Sequence, residues 1–198
     1  MVFVLTLDQR FSRRGPDRVE PLLARLDERD QREGLLRRFE RTAGDEAQGV
    51  LSSAEAVCEI VLDLLRAGDW HIGLGIGPVD EPLPSSTRAG RGAAFLRARQ
   101  AVNAAKTAPH RLSAVGTDDY RARHVETVLW MLGAIVARRS RRGWEVADML
   151  AQSRTRGEIA EALGISASAV SQRIQAAGVL EEERGRELLT VLLAEADR

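Results

Sequence analysis

The sequence predicts an α+β fold followed by an all-helical segment, and three observations carry that prediction. Strand-like and helix-like apolar patterns interleave through about residue 115, only helical spacing follows Asp119, and Gly73, Gly75 and Gly77 alternate along one strand. Val2–Leu7 is β-branched and apolar and stops at Asp8-Gln9-Arg10, so it reads as a buried strand with a polar end. Gly15-Pro16-Asp17 starts a helix in which Val19, Leu22, Leu23 and Leu26 recur to about Asp30. Leu35–Thr42 and Gln48–Leu51 read as strands joined by the hairpin turn Ala43-Gly44-Asp45-Glu46. Ser53 caps the next helix, whose stripe Val57, Ile60, Val61, Leu64, Leu65 ends at Gly68.

Trp70–Val79 is a strand with Ile72, Leu74 and Ile76 on one face and glycines on the other, so a helix or a ligand can approach its bare backbone. As a phosphate loop the glycine spacing is wrong for the dinucleotide fingerprint, and Pro78 follows it. A proline-containing loop, Asp80–Ser86, leads to a helix over Arg91–Lys106 with Phe95, Leu96, Ala98 and Val102 inward and Arg97 and Arg99 available. Leu112–Val115 is a last short strand. The order β-α-β-β-α-β-α-β predicts a ferredoxin-like or palm sandwich over residues 1–117, an antiparallel sheet with helices on one face. Residues 118–198 are then an all-α domain with helices near Arg121–Arg139, Trp144–Gln152, Arg156–Ala162, Ala167–Ala176 and Glu182–Ala196.

Composition excludes several classes. Of 198 residues, 44% are hydrophobic and 29% charged, which rules out wholesale disorder and collagen-like repeats. Cations and anions both number 29, so net charge points to no partner, and Lys106 is the one lysine. The single cysteine, Cys58, lies in an apolar helical pattern and reads as a buried, inert thiol. No apolar run reaches the ~18 residues of a bilayer span. Val2–Leu7 lacks a basic flank and a cleavage site, so the expected setting is the cytoplasm, with no membrane partner.

The strongest signal lies over residues 155–177. Ala160 is a small residue where two steeply crossing helices touch, and Gly164 tolerates the positive φ of the turn between them. Ile159, Leu163, Ile165, Val170 and Ile174 form the seam, and Ser166 caps the second helix. That helix turns Ser168, Ser171, Gln172 and Gln175 outward, with Arg173 at its flank. Gln pairs with adenine, and Arg with guanine or phosphate. This is a helix-turn-helix pattern, for which the partner is double-stranded DNA. Between Val136 and Ala176 seven arginines stand against four acids, so Arg141, Arg142 and Arg156 join the expected phosphate-contacting set. The run Arg138–Arg142 reads equally as a solvated helix end.

Trp144–Gly178 resembles the helix-turn-helix of sigma-factor region 4 and of LuxR-like response-regulator output domains. The resemblance implies sequence reading through Ser168, Ser171, Gln172 and Arg173.

In a palm-type sheet Asp8 and the turn Asp45-Glu46 are neighbours, and such carboxylates suit Mg²⁺ held against a nucleotide. With the glycine strand Ile72–Val79 and the helix Gly90–Lys106, that turn resembles class III nucleotide cyclases and diguanylate cyclases (the GGDEF-type palm), and more closely the SatD family. The resemblance spans Phe3–Lys106 and implies a nucleotide ligand and metal ligation by Asp8, Asp45 and Glu46. Where the cyclase helix carries an asparagine four residues before Arg99, this chain has Phe95. His71, His110 and His124 lack ligand spacing, and no Ser-His-acid or Cys-His set is present. The residues therefore predict a DNA-binding transcriptional regulator with an N-terminal sensing or partner-binding domain and no catalytic residues. The alternative is a divergent nucleotide cyclase with a regulatory helical domain. The linking helix carries Val125, Val128, Leu129, Leu132, Ile135 and Val136, widened by Trp130 and Met131, so it is buried on more than one side, within the monomer or in a homodimer.

Overall fold

A computed structural model describes residues 2–27 and 34–196. Five strands and eight helices follow in chain order: β1 (Val2–Gln9), α1 (Val19–Asp27), β2 (Leu35–Arg41), β3 (Glu46–Leu51), α2 (Ala54–Ala67), β4 (Trp70–Gly77), α3 (Ala93–Ala105), β5 (Leu112–Val115), α4 (Asp119–Arg138), α5 (Arg141–Ala151), α6 (Arg156–Leu163), α7 (Ala167–Ala176) and α8 (Val179–Glu195). The fold is α+β. The expected continuation of α1 to Asp30 lies outside the described residues.

The sheet order is β2-β3-β1-β4-β5. β1 is antiparallel to both β3 and β4, β2 is antiparallel to β3, and β5 joins β4 in parallel. That parallel edge corrects the expectation of a wholly antiparallel sheet. Strand alternation divides β1 between two layers: Phe3, Leu5 and Leu7 enter the main core with α1 and α2, whereas Val4 faces Ala94 and Ala98 of α3.

Helices cover both faces of the sheet, not one, and the glycine strand is the reason. A Cβ on Gly73 would sit 2.3 Å from the Val102 backbone nitrogen, and one on Gly75 would sit 2.1 Å from the Ala94 carbonyl oxygen. Any side chain there would push α3 off the sheet. The caps of α2 form as its sequence predicts: Ser53 Oγ accepts from the Ala56 amide (3.1 Å), and Gly68 closes the helix at φ 72°.

Most of the apolar surface of α4 is covered within the chain, although Met131 is 62% exposed. Val125, Leu129, Leu132 and Val136 are buried against α2, β5 and α8, and Trp130 Nε1 donates to the Leu112 carbonyl (2.9 Å). α8 returns to the same core through Leu189, Leu193 and Ala196. A separate small core belongs to α5, α6 and α7, centred on Val146, Ile159 and Val170. Packing thus divides the chain differently from the expected boundary at 117/118, because α4 and α8 lie with the sheet and only the three helices between them stand apart. Among the described residues no helix is long and apolar enough to cross a membrane.

Candidate nucleic-acid interface

The α6–α7 pair is fixed by local chemistry at each joint. Thr155 Oγ1 accepts from the Glu158 amide (3.3 Å), while the Glu158 carboxylate accepts from the Thr155 amide (2.7 Å), a reciprocal cap. Those hydrogen bonds hold the Glu158 carboxyl below its ordinary range. Gly164 takes the left-handed conformation (φ 61°) that lets the chain turn. Ser166 Oγ then accepts from the Ala169 amide (3.1 Å) and starts α7. Behind the pair, Val146 of α5 meets Ile159 and Val170, with Met149, Leu163, Ile165 and Ile174 around them. The T-x-x-E spacing of Thr155 and Glu158 is the sequence signal of this cap.

The expected reading residues separate into those that reach solvent and those engaged within the protein. Ser168, Gln172 and Gln175 are exposed on α7, as are Arg156, Arg141 and Arg142 near the starts of α6 and α5. Ser166 is exposed too, but its oxygen serves the cap. Ser171 is half-buried and donates to the Ala167 carbonyl (3.1 Å). Arg173 turns toward α5, its guanidinium 4.0 Å from the Glu145 carboxylate, so its expected base contact competes with an ion pair. Arg141 also meets Glu145 (3.2 Å), but its side chain is 93% exposed.

The arginine run 138–142 splits into structural and exposed members. Arg139 is buried: its Nε donates to the Ala177 carbonyl (2.8 Å), it pairs with Glu182 (2.5 Å), and it lies 4.4 Å from the centre of the Trp144 ring. Arg66 stacks on the same ring at 3.9 Å and forms two hydrogen bonds to Asp148 (2.6 and 2.8 Å). These contacts tie the three-helix unit to α2, α4 and α8. Of the run, Arg139 is thus structural, whereas Arg138, Arg141 and Arg142 stay exposed.

The metal expectation at Asp8, Asp45 and Glu46 fails on the donor set. Asp8 and Glu46 are cross-strand partners, with His71 on the far side of Asp8, so the three form a row on the α3 face. Glu46 is buried and taken by Arg99 through both oxygens, one at 2.7 Å, while Thr42 Oγ1 donates to it at 2.5 Å. Lys106 Nζ lies 3.5 Å from Asp8. The Asp45 main-chain carbonyl accepts from the Gln9 amide, which uses the turn as a hairpin brace. Among the described residues no group of three His, Cys, Asp or Glu side chains could hold a metal ion. The two arginines expected to be available are both engaged, Arg99 with Glu46 and Arg97 through donation to the Ile76 carbonyl (3.0 Å) and to Thr117 Oγ1 (2.9 Å). Burial pushes the Cys58 thiol up to about 11, which suits an inert core residue.

Comparison of the chain with family models, with curated proteins and with solved structures gives no match.

Proposed function

We propose that this chain is a cytoplasmic, sequence-reading DNA-binding regulator. The helix-turn-helix is α6 and α7, and α7 enters the major groove. The observation that carries this reading is the outer face of α7, where Ser168, Gln172 and Gln175 end in solvent on a helix braced from behind by an apolar core. Short amide and hydroxyl side chains can match base-edge donors and acceptors, and acids are missing from that face. Arg141, Arg142 and Arg156 supply phosphate contacts around it. The sheet unit, read as ferredoxin-like from its order β2-β3-β1-β4, receives a signal or a partner. The SatD and cyclase likeness is kept at the level of that fold, because Arg99 and Lys106 occupy the carboxylates a nucleotide-bound metal would need.

Selection from a randomised duplex pool, followed by anisotropy titration at two salt concentrations, tests the proposal. An enriched sequence is expected, and Gln172→Ala should weaken binding to it by about 1–3 kcal/mol while leaving binding to unrelated duplex nearly unchanged. Replacing Arg142 should weaken all duplexes alike and lower the salt slope by about one unit. A pool that never enriches overturns the reading.

A further inference from the structure

α8 carries more apolar surface than its own chain covers. Its inner residues Leu189 and Leu193 are fully buried, yet Leu188 is 50% and Val191 53% exposed, on the opposite side of the helix. Helical geometry puts Leu180, Arg184, Glu187, Leu188, Val191 and Glu195 on one continuous face, and all six are exposed. Isolated exposed leucines need no explanation, but an apolar strip bounded by charges on a rigid helix is what an interface looks like.

We propose that this face of α8 is a self-association surface on which a second copy of the chain lays its own α8 antiparallel. The charges select that occupant and the register. A two-fold axis passing midway between Leu188 and Val191 brings Leu188 of each copy against Val191 of the other. The same axis sets Arg184 opposite Glu195, twice by symmetry. The apolar contact supplies the affinity and the two ion pairs set the alignment, since exposed pairs contribute little by themselves. At present Arg184 holds Glu187 of its own helix (2.9 Å), an exposed i,i+3 pair that exchanges readily for an intermolecular one.

The dyad also has a geometric consequence. α7 ends at Ala176 and α8 begins at Val179, so each α7 is tethered to the start of an α8. In the antiparallel pair those starts stand about 32 Å apart along the helices, at a rise of about 1.5 Å per residue. Half-sites one DNA turn apart are separated by about 34–36 Å. This spacing matters only if α7 reads DNA, whereas the register argument does not depend on it.

Sedimentation equilibrium of the full chain without DNA tests the surface. A monomer–dimer equilibrium is expected at micromolar concentrations, the range for a small interface. Leu188→Glu and Val191→Glu, both at solvent-exposed helical positions that accept glutamate, should weaken dimerisation by about tenfold or more. Arg184→Glu should weaken it as well, and adding Glu195→Arg to that variant should restore it. That rescue separates a specific register from general loss of helix stability. A chain that stays monomeric to millimolar concentration overturns the proposal, as does a dimer indifferent to Leu188→Glu and Val191→Glu, or a charge-swapped double variant that stays monomeric. None of these measurements involves DNA, so they stand whatever the fate of the DNA reading.

Discussion

Two rows of polar side chains run along regular elements of this chain, and they end differently. On the α3 face of the sheet, Glu46, Asp8 and His71 stand side by side, and Arg99 and Lys106 descend from α3 to meet the two carboxylates. On α7, Ser168, Gln172 and Gln175 form no side-chain hydrogen bond to any described residue and face solvent. A polar row placed under a helix must neutralise itself when the chain folds, because an unpaired buried charge costs several kcal/mol. A row left in water keeps its hydrogen-bonding capacity for a partner. The acidic turn is therefore neutralised within the fold, whereas the glutamines of α7 keep free the hydrogen-bonding groups on which the proposed DNA reading rests.

The largest expected effect concerns the independence of the two regions. Ile159 is fully buried in a core centred on only three residues, so Ile159→Ala should cost about 2–5 kcal/mol with little nearby material to refill the space. Hydrogen exchange should then show α6 and α7 amides losing protection while β1 and β4 keep theirs. If the strands lose protection in step with α6, the small core is not a separate unit and the contrast between the regions breaks.

A paired substitution sharpens the same contrast. Glu46→Ala removes the acid that holds Arg99 and Thr42 and should lower stability by about 1–3 kcal/mol in urea titration, without changing duplex affinity. Gln172→Ala should do the reverse, shifting stability by no more than about 0.5 kcal/mol while weakening binding to the selected duplex. Thr155→Ala ranks below both in stability. Losing the reciprocal cap should cost about 1 kcal/mol and fray the start of α6, visible as faster exchange at the Glu158 amide.

What the sequence makes legible here is what neighbouring residues decide. Ser53 and Gly68 bound α2, Gly164 and Ser166 turn α6 into α7, and the bare strand at Gly73 and Gly75 announces a close approach. Distant partners are another matter. Arg99 reaches Glu46 across 53 positions and Arg66 reaches Asp148 across 82, and no local spacing encodes either pair. Nor does any local spacing show that Arg139 turns inward while Arg141 and Arg142 stay exposed. α8 hides its docking direction for a further reason. It has leucines on two opposite sides, so its pattern shows no single buried stripe from which a docking direction follows.

His71 provides the smallest test of the comparison, at the open end of the acidic row. Burial holds its imidazole below the ordinary histidine value of 6.5, against the upward pull of Asp8 and of its hydrogen bond to the Ala105 backbone, while Arg10 and Arg111 add to the depression. Its Nδ1 is buried without a partner, as a neutral ring permits and a charged one does not. With the folded value depressed, the histidine's contribution is complete above pH 6.5 and is lost as pH falls through the folded value, because the unfolded chain takes up the proton first. Urea midpoints of the wild-type chain should therefore drop slightly as pH falls through the ordinary histidine value and below it, and His71→Gln should flatten that part of the slope. The drop is small because His71 is only partly withdrawn from water. If instead the wild-type midpoint rises on acidification and His71→Gln abolishes the rise, the ring is charged and paired with Asp8. The sheet row would then contain an ion pair where burial argues for a neutral group.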